Sequence, residues 1–167
     1  MDITIFTGED YKNLPFKVLK QAAYVRWETI GRKYVERDVK FLRSNPPCFA
    51  DLVSFYLFAQ VNGRVVGFAQ FFQDKNDAAT WFYGDLEVLQ KYRRNGIACQ
   101  MLTHAFGVLE KKQAAKLLTF VNRWNEPSVK LHEKLGFALA KDQSVDNPYA
   151  GADMAVYEYG ISHLDSM

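Results

Sequence analysis

The chain has 167 residues, 49% of them hydrophobic and 15% aromatic, with a net charge of +2. That length suits one domain spanning 1–167, and that apolar share is enough for a core, which excludes a disordered chain. The charge is too small to imply a nucleic-acid partner, and no apolar run reaches membrane-spanning length, so neither partner is expected.

Cys48 and Cys99 have no metal-ligand spacing, so reduced structural thiols and no metal site are expected. Met1-Asp2-Ile3-Thr4 carries neither a basic n-region nor an apolar h-region, so a soluble cytoplasmic protein is expected. The alternation of Ile3 and Ile5 predicts a strand over Asp2 to Phe6, broken by Thr7-Gly8-Glu9-Asp10. Phe16 to Ile30 reads as a helix, with Val18, Ala22, Val25 and Thr29 roughly on one side. Gly31 interrupts it. Lys33 to Arg43 forms a second helix, which Ser44-Asn45-Pro46-Pro47 stops. Trp27 and Glu28 sit near the junction of the two. A packing Trp and a surface Glu is the plainer reading; an aromatic–acid pair can also recognise a cationic substrate.

Ser54 to Gln60 and Arg64 to Phe72 read as strands joined by a hairpin, because Asn62 and Gly63 both tolerate positive φ. Gln73 to Asp77 is a polar turn into a strand from Ala79 to Val88. Next come Lys91, Arg93 and Arg94, then Asn95 and Gly96, and from Ile97 helical spacing begins. Ile97, Met101, Ala105 and Val108 form one row, and Ala98, Leu102, Ala105 and Leu109 its neighbour. A strand feeding a helix through a glycine loop aims free N–H groups and the positive helix end at one spot, which suits a phosphate or pyrophosphate. The patterns G-x-G-x-x-G and G-x-x-x-x-G-K-S/T are absent. A solvated basic loop is the alternative.

The helix from about Asn95 to Lys112 leads to Leu117-Leu118-Thr119-Phe120-Val121, apolar on both faces like an inner strand. Strand, helix and strand make a βαβ unit with a parallel pair. Asn125 is a good N-cap for the next helix, Pro127 fits its first turn and Gly136 its C′ position. At ~100° per residue, Asn125, Ser128, Val129, Leu131, His132 and Leu135 share one half of that helix. Three polar side chains thus lie on an inward face and need partners. A satisfied core histidine is as good a reading of His132 as a functional one. Ala138 to Lys141 and Asp153 to Tyr159 read as final strands, with a loop carrying Asn147-Pro148-Tyr149 between them and a frayed tail from Ile161.

Arg93-Arg94-Asn95-Gly96-Ile97-Ala98 fits the pattern Gln/Arg-x-x-Gly-x-Gly/Ala. Asn125 to Phe137 fits Asn-x-x-Ala/Ser-x-x-Leu-Tyr/Phe/His-x-Lys-x-Gly-Phe. With these two motifs at this separation, the chain resembles the GNAT superfamily of acyl-CoA-dependent N-acyltransferases. The resemblance covers nearly the whole chain and is specific from Leu86 to Phe137. It implies an α/β (α+β mixed-sheet) fold: a mixed, mostly antiparallel sheet of about seven strands flanked by four helices, with a splay between the fourth and fifth.

The resemblance also implies roles. The amides of Arg94, Asn95, Gly96, Ile97 and Ala98 should hold the CoA pyrophosphate, with Arg93 at the loop's opening. The backbone at Val88 and Gln90 should pair with the pantetheine arm, almost as an added strand. The splay between the strands ending at Val88 and Val121 should admit the cofactor. Asn125 should hydrogen-bond the pantetheine, and Ser128 is counted with it among the cofactor-binding residues. His132 stands where many members carry a tyrosine near the cofactor sulfur, and it is a candidate acid. Gln90 stands where proline is frequent.

The implied reaction is acetyl transfer from acetyl-CoA to the primary amine of a small molecule, by direct attack in a ternary complex. The Val88 N–H would polarise the thioester carbonyl. An alkylammonium of pKa ~10.4 must lose a proton, and Glu87 is the preferred base. Period 2 puts Asp85 on the same face, where pairing with Arg or Lys is as good a reading for it. Trp27, Glu28, Asp85 and Tyr149 are candidate acceptor-binding residues, and acidic and aromatic side chains would suit a polyamine-like cation. The alternatives are a non-catalytic acyl-CoA-binding or sensing module and a protein or peptide N-acetyltransferase. Family members are often dimers, which admits a homodimer here.

Overall fold

Asn62 and Gly63 take φ of 51° and 72°, and Val61 faces Arg64 directly across the turn they make. This is the two-residue hairpin expected from Asn-Gly. It joins β2 (Ser54–Val61) to β3 (Arg64–Gln73), and β1 (Ile3–Gly8) pairs antiparallel with β2. The computed structural model describes residues 1–9, 13–28, 31–43, 53–141 and 153–161. Its further elements are α1 (Phe16–Trp27), α2 (Arg32–Arg43), β4 (Thr80–Val88), α3 (Ile97–Lys111), β5 (Lys116–Asn122), α4 (Glu126–Lys134), β6 (Ala138–Leu139) and β7 (Met154–Gly160). Among the described residues seven strands form one mixed sheet in the order β1-β2-β3-β4-β5-β7-β6, accompanied by four α-helices. Among the described residues no helix is long and apolar enough to cross a membrane.

Chain contacts divide the molecule into two compact units, Met1–Phe72 with Asp85–Ala105, and Gln73–Gly84 with Phe106–Met167. The first is filled by aromatic pairs across β2 and β3. Phe55 and Phe71 face each other in register with their rings stacked at 4.5 Å. Phe58 and Phe68 lie alongside, and Ile97, Met101 and Leu102 of α3 are fully buried. Gly67 of β3 gives α3 its seat. A Cβ there would meet Met101 Sδ at 2.8 Å, Ala59 Cβ at 3.1 Å and Ile97 Cγ2 at 3.4 Å, so any larger residue crowds the seat.

The second unit is built on β5. It pairs parallel with β4 over Thr80–Tyr83 against Lys116–Thr119, and antiparallel with β7 along its whole length. Covered on both sides, it is the inner strand expected from its continuous apolar run. The β4–β5 pairing ends at Tyr83 and Thr119, although the strands run on to Val88 and Asn122.

Several boundaries move. Thr7 and Gly8 extend β1 instead of ending it, with Gly8 opposite Tyr56. β6 is reduced to two residues, and β7 inserts between it and β5. Gln90–Tyr92 closes into a 3₁₀ turn before the helix. Cys48, Ser44 to Pro47, Tyr149 with the loop 142–152, and the tail beyond Ile161 lie outside the described residues.

Candidate active site

The loop between β4 and α3 is shaped by two left-handed residues, Arg94 at φ 63° and Gly96 at φ 74°. Only the glycine is expected from the sequence. Such alternation makes an anion-binding concavity of successive N–H groups. The Asn95 amide nitrogen braces the loop, donating to the carbonyls of Tyr92 at 3.1 Å and Arg93 at 3.0 Å. The first bond of α3 runs from Gln100 N–H to Gly96 O. Ahead of it, the N–H groups of Arg94 to Ala98 meet no acceptor among the described residues. A Cβ on Gly96 would find only Gln100 Nε2, at 3.8 Å. The glycine is therefore required by its φ, and the space beside it is open.

β4 ends on an edge with a definite polarity. Leu89 N–H donates to Val66 O of β3 at 2.9 Å. Backbone groups alternate along an extended chain, so Val88 C=O and Gln90 N–H point the opposite way. Both are met by charged side chains where a strand partner would sit. Arg93 Nε donates to Val88 O at 2.8 Å, and Gln90 N–H donates to Glu28 Oε2 at 2.7 Å. These are the two backbone groups expected to hold pantetheine.

Asp85 interrupts β4 with φ 51°, so the two-residue alternation that put it on one face with Glu87 does not run through it. Its Oδ2 accepts from Arg26 Nη2 at 2.9 Å and from Gln70 Nε2 at 2.8 Å. Arg26 Nη1 also holds both oxygens of Asp38, at 3.0 and 2.9 Å. Burial raises the Asp38 carboxyl pKa above its usual range, and the Arg26 charge opposes this. Asp85 thus pairs with an arginine, as its plainer reading had it, and braces the kink. Glu87 is the unbraced carboxylate of the strand. Its one observed ion pair, to Arg93 Nη2, is long at 3.7 Å and half-exposed. Burial raises the Glu87 pKa, Arg93 pulls it down, and Asp85 and Glu28 add to the rise. Trp27 stacks on Tyr34 at 5.5 Å and packs against Ala23, Val35 and Val39, which is a packing role.

In the second unit, α4 starts as expected. Asn125 Oδ1 accepts from Ser128 N–H at 3.3 Å, with Pro127 in the first turn and Gly136 at φ 89° just past the end. Asn125 is exposed, however, and not inward. His132 is buried, 3% exposed. Its Nδ1 lies 2.6 Å from the Ser128 carbonyl, which can only accept, so Nδ1 carries the hydrogen. Burial lowers the ring's pKa, which keeps it neutral and leaves Nε2 bare. Nε2 therefore accepts from the Tyr83 hydroxyl. In this geometry the ring follows the plainer of its two readings. Its only N–H is given to a carbonyl of its own helix, and the ring is a satisfied core histidine. Sequence reasoning alone does not single out Tyr83. The available signal is a hydroxyl-bearing ring at the end of an apolar strand run, which needs an acceptor when buried.

A loop at a helix start with N–H groups that meet no acceptor among the described residues thus lies next to an extended edge with outward C=O and N–H. Residues 18–137 match the model of the Acetyltransferase (GNAT) family, and the chain belongs to that family. Solved structures share the fold. An acetyltransferase of the GNAT family from Streptococcus pneumoniae is 18% identical with a TM-score of 0.66, over 95% of this chain and 100% of that one. The ribosomal-protein-S18-alanine N-acetyltransferase of Escherichia coli is 20% identical with a TM-score of 0.66, over 95% of each chain. The PaiA N-acetyltransferase of Thermoplasma acidophilum, in complex with coenzyme A, is 17% identical with a TM-score of 0.63, over 96% and 99%.

Proposed function

We propose that this protein transfers an acetyl group from acetyl-CoA to a primary amine of a small molecule, in a ternary complex. The observation that carries the reading is the outward pair Val88 C=O and Gln90 N–H leading into a loop whose N–H groups have no acceptor among the described residues. Coenzyme A carries a pyrophosphate followed by two amides, and these groups match that order of donors and acceptors. The open space at Gly96 leaves room for the phosphates.

Bound acetyl-CoA would supply the thioester. Val88 N–H polarises its carbonyl. Glu87, directly or through one water, takes a proton from the acceptor ammonium, and its raised pKa suits that work. The amine nitrogen then bonds to the carbonyl carbon, and the carbon–sulfur bond breaks with its electron pair on sulfur. The nitrogen loses its second proton, and the thiolate gains one from solvent. A thiol of pKa ~8.5 is a good enough leaving group without a dedicated acid.

A second reading, a non-catalytic acyl-CoA-binding module, is favoured by the closed state of His132. Thiol release from acetyl-CoA with a panel of amines separates the two. The panel should hold polyamines, aminoglycosides, amino acids and peptides, alanine-bearing ones included, since the Escherichia coli neighbour is named for an alanine of a ribosomal protein. Turnover with any amine supports the enzyme. CoA binding without turnover supports the module. Gly96→Asp should abolish CoA binding in calorimetry, and unchanged affinity would refute the site.

A further inference from the structure

We infer that Glu28 is a stand-in for the acyl donor: it holds Gln90 N–H in the unliganded protein and must give it up when the donor binds. The inference rests on the proposed use of Val88 and Gln90 for an amide-bearing ligand. Glu28 closes α1, while Gln90 opens the turn after β4, so the contact ties together elements 62 residues apart. The hydrogen bond is short at 2.7 Å and has a carboxylate acceptor, the stronger class of such bonds. Arg93 does the same for the neighbouring group, Val88 C=O. An exposed strand edge is a liability, and charged side chains laid along it keep other chains off. Here they occupy one acceptor and one donor on the same side of the backbone, spaced as an incoming extended chain would use them.

Any ligand amide carbonyl that accepts from Gln90 N–H competes with Glu28 for a single hydrogen. Apparent donor affinity is therefore the intrinsic affinity reduced by the population of the Glu28-capped state.

The test is calorimetric CoA affinity for the wild type and Glu28→Ala, together with the Gln90 amide proton resonance in both, free and with CoA. Glu28→Ala should bind CoA about fivefold more tightly, since one net hydrogen bond no longer competes. The Gln90 amide should differ between the two free proteins and coincide when both hold CoA. Equal or weaker binding by Glu28→Ala, while the wild type binds CoA, overturns the inference and leaves the proposed function standing. No CoA binding by the wild type overturns both. If Glu28→Ala does not fold, the wild type alone decides: a Gln90 amide that does not move on adding CoA refutes the displacement.

Discussion

The Tyr83 hydroxyl donates its hydrogen to Nε2 of His132, and with Nδ1–H on the Ser128 carbonyl this uses both nitrogens of the ring. The pair is buried, and burial raises the Tyr83 pKa strongly, so neither ring ionises readily near neutral pH.

His132→Phe should therefore cost stability more than catalysis. It removes the hydrogen bond that the buried Tyr83 hydroxyl makes to the ring, a loss of about 1 kcal/mol. Turnover per folded molecule should stay within a few-fold of wild type. Tyr83→Phe should destabilise by a similar amount, and the loss in the double variant should be less than the two single losses added, because both remove the same hydrogen bond. Thermal melts and turnover on the three variants check this. A fall of about 100-fold in turnover at an unchanged melting temperature would return His132 to the role of acid.

Glu87→Gln should lower turnover about 100-fold or more with CoA affinity kept. In the wild type the acid limb of the pH–rate profile should lie above the ordinary glutamate value, because burial raises this carboxyl. Arg93→Gln removes the charge that opposes the rise, so the limb should move to higher pH. Stability runs the other way. A folded-state pKa above the unfolded one favours the fold at low pH, and that contribution is lost as pH rises through the folded pKa. Glu87→Gln should therefore be more stable than wild type at neutral pH, with the gain vanishing in acid. An acid limb that ignores both substitutions would remove Glu87 as the base.

Arg26 joins Asp38, which is 8% exposed, to Asp85 at the kink of β4. Arg26→Met should lower stability at pH 7 by about 3 kcal/mol, because a buried carboxylate loses its counter-charge. The Asp38 pKa, already raised by burial, then rises further. Protonation relieves the charge, so the deficit should be largest at neutral pH and shrink as pH falls through that raised value. Denaturant melts at several pH values read this. A deficit that does not change with pH would mean that lost packing of the Arg26 side chain dominates.

Local signals are legible wherever one residue type answers one backbone demand. Asn62-Gly63, Asn125, Gly136 and Gly96 each read directly from the chain and stand at the turn, cap, C′ and loop positions expected. The contacts that fix the site's chemistry join residues far apart in sequence. Arg26 meets Asp85 across 59 positions, Gln90 meets Glu28 across 62, and Tyr83 meets His132 across 49. No periodicity encodes such pairs. Period 2 also fails locally, because Asp85 adopts a left-handed φ that an aspartate tolerates without advertising it. That is why the chain puts Glu87 and Asp85 on one face, although Asp85 is held by Arg26 and Gln70 and Glu87 by one long pair to Arg93.

Gly67 controls how closely α3, and with it the Gly96 loop, approaches the sheet. A Cβ at this position would lie 2.8 Å from Met101 Sδ and 3.1 Å from Ala59 Cβ, its register partner on β2. The Met101 side chain can give way, but Ala59 is held by its strand. Gly67→Val should therefore destabilise by about 1–3 kcal/mol through overpacking. The third neighbour, Ile97 at 3.4 Å, directly follows Gly96, so the added methyl groups of a valine would press on the residue next to the loop. CoA affinity should fall along with the melting temperature. Gly107 provides the contrast: it is exposed in the same helix, and a Cβ added there would meet no atom within 4 Å. Gly107→Ala should raise stability by about 0.5–1 kcal/mol, because alanine loses less backbone entropy in a helix, and should leave CoA affinity alone. If Gly67→Val lowers the melting temperature but binds CoA as wild type does, the loop is held by its own Asn95 brace and not by the seat of the helix.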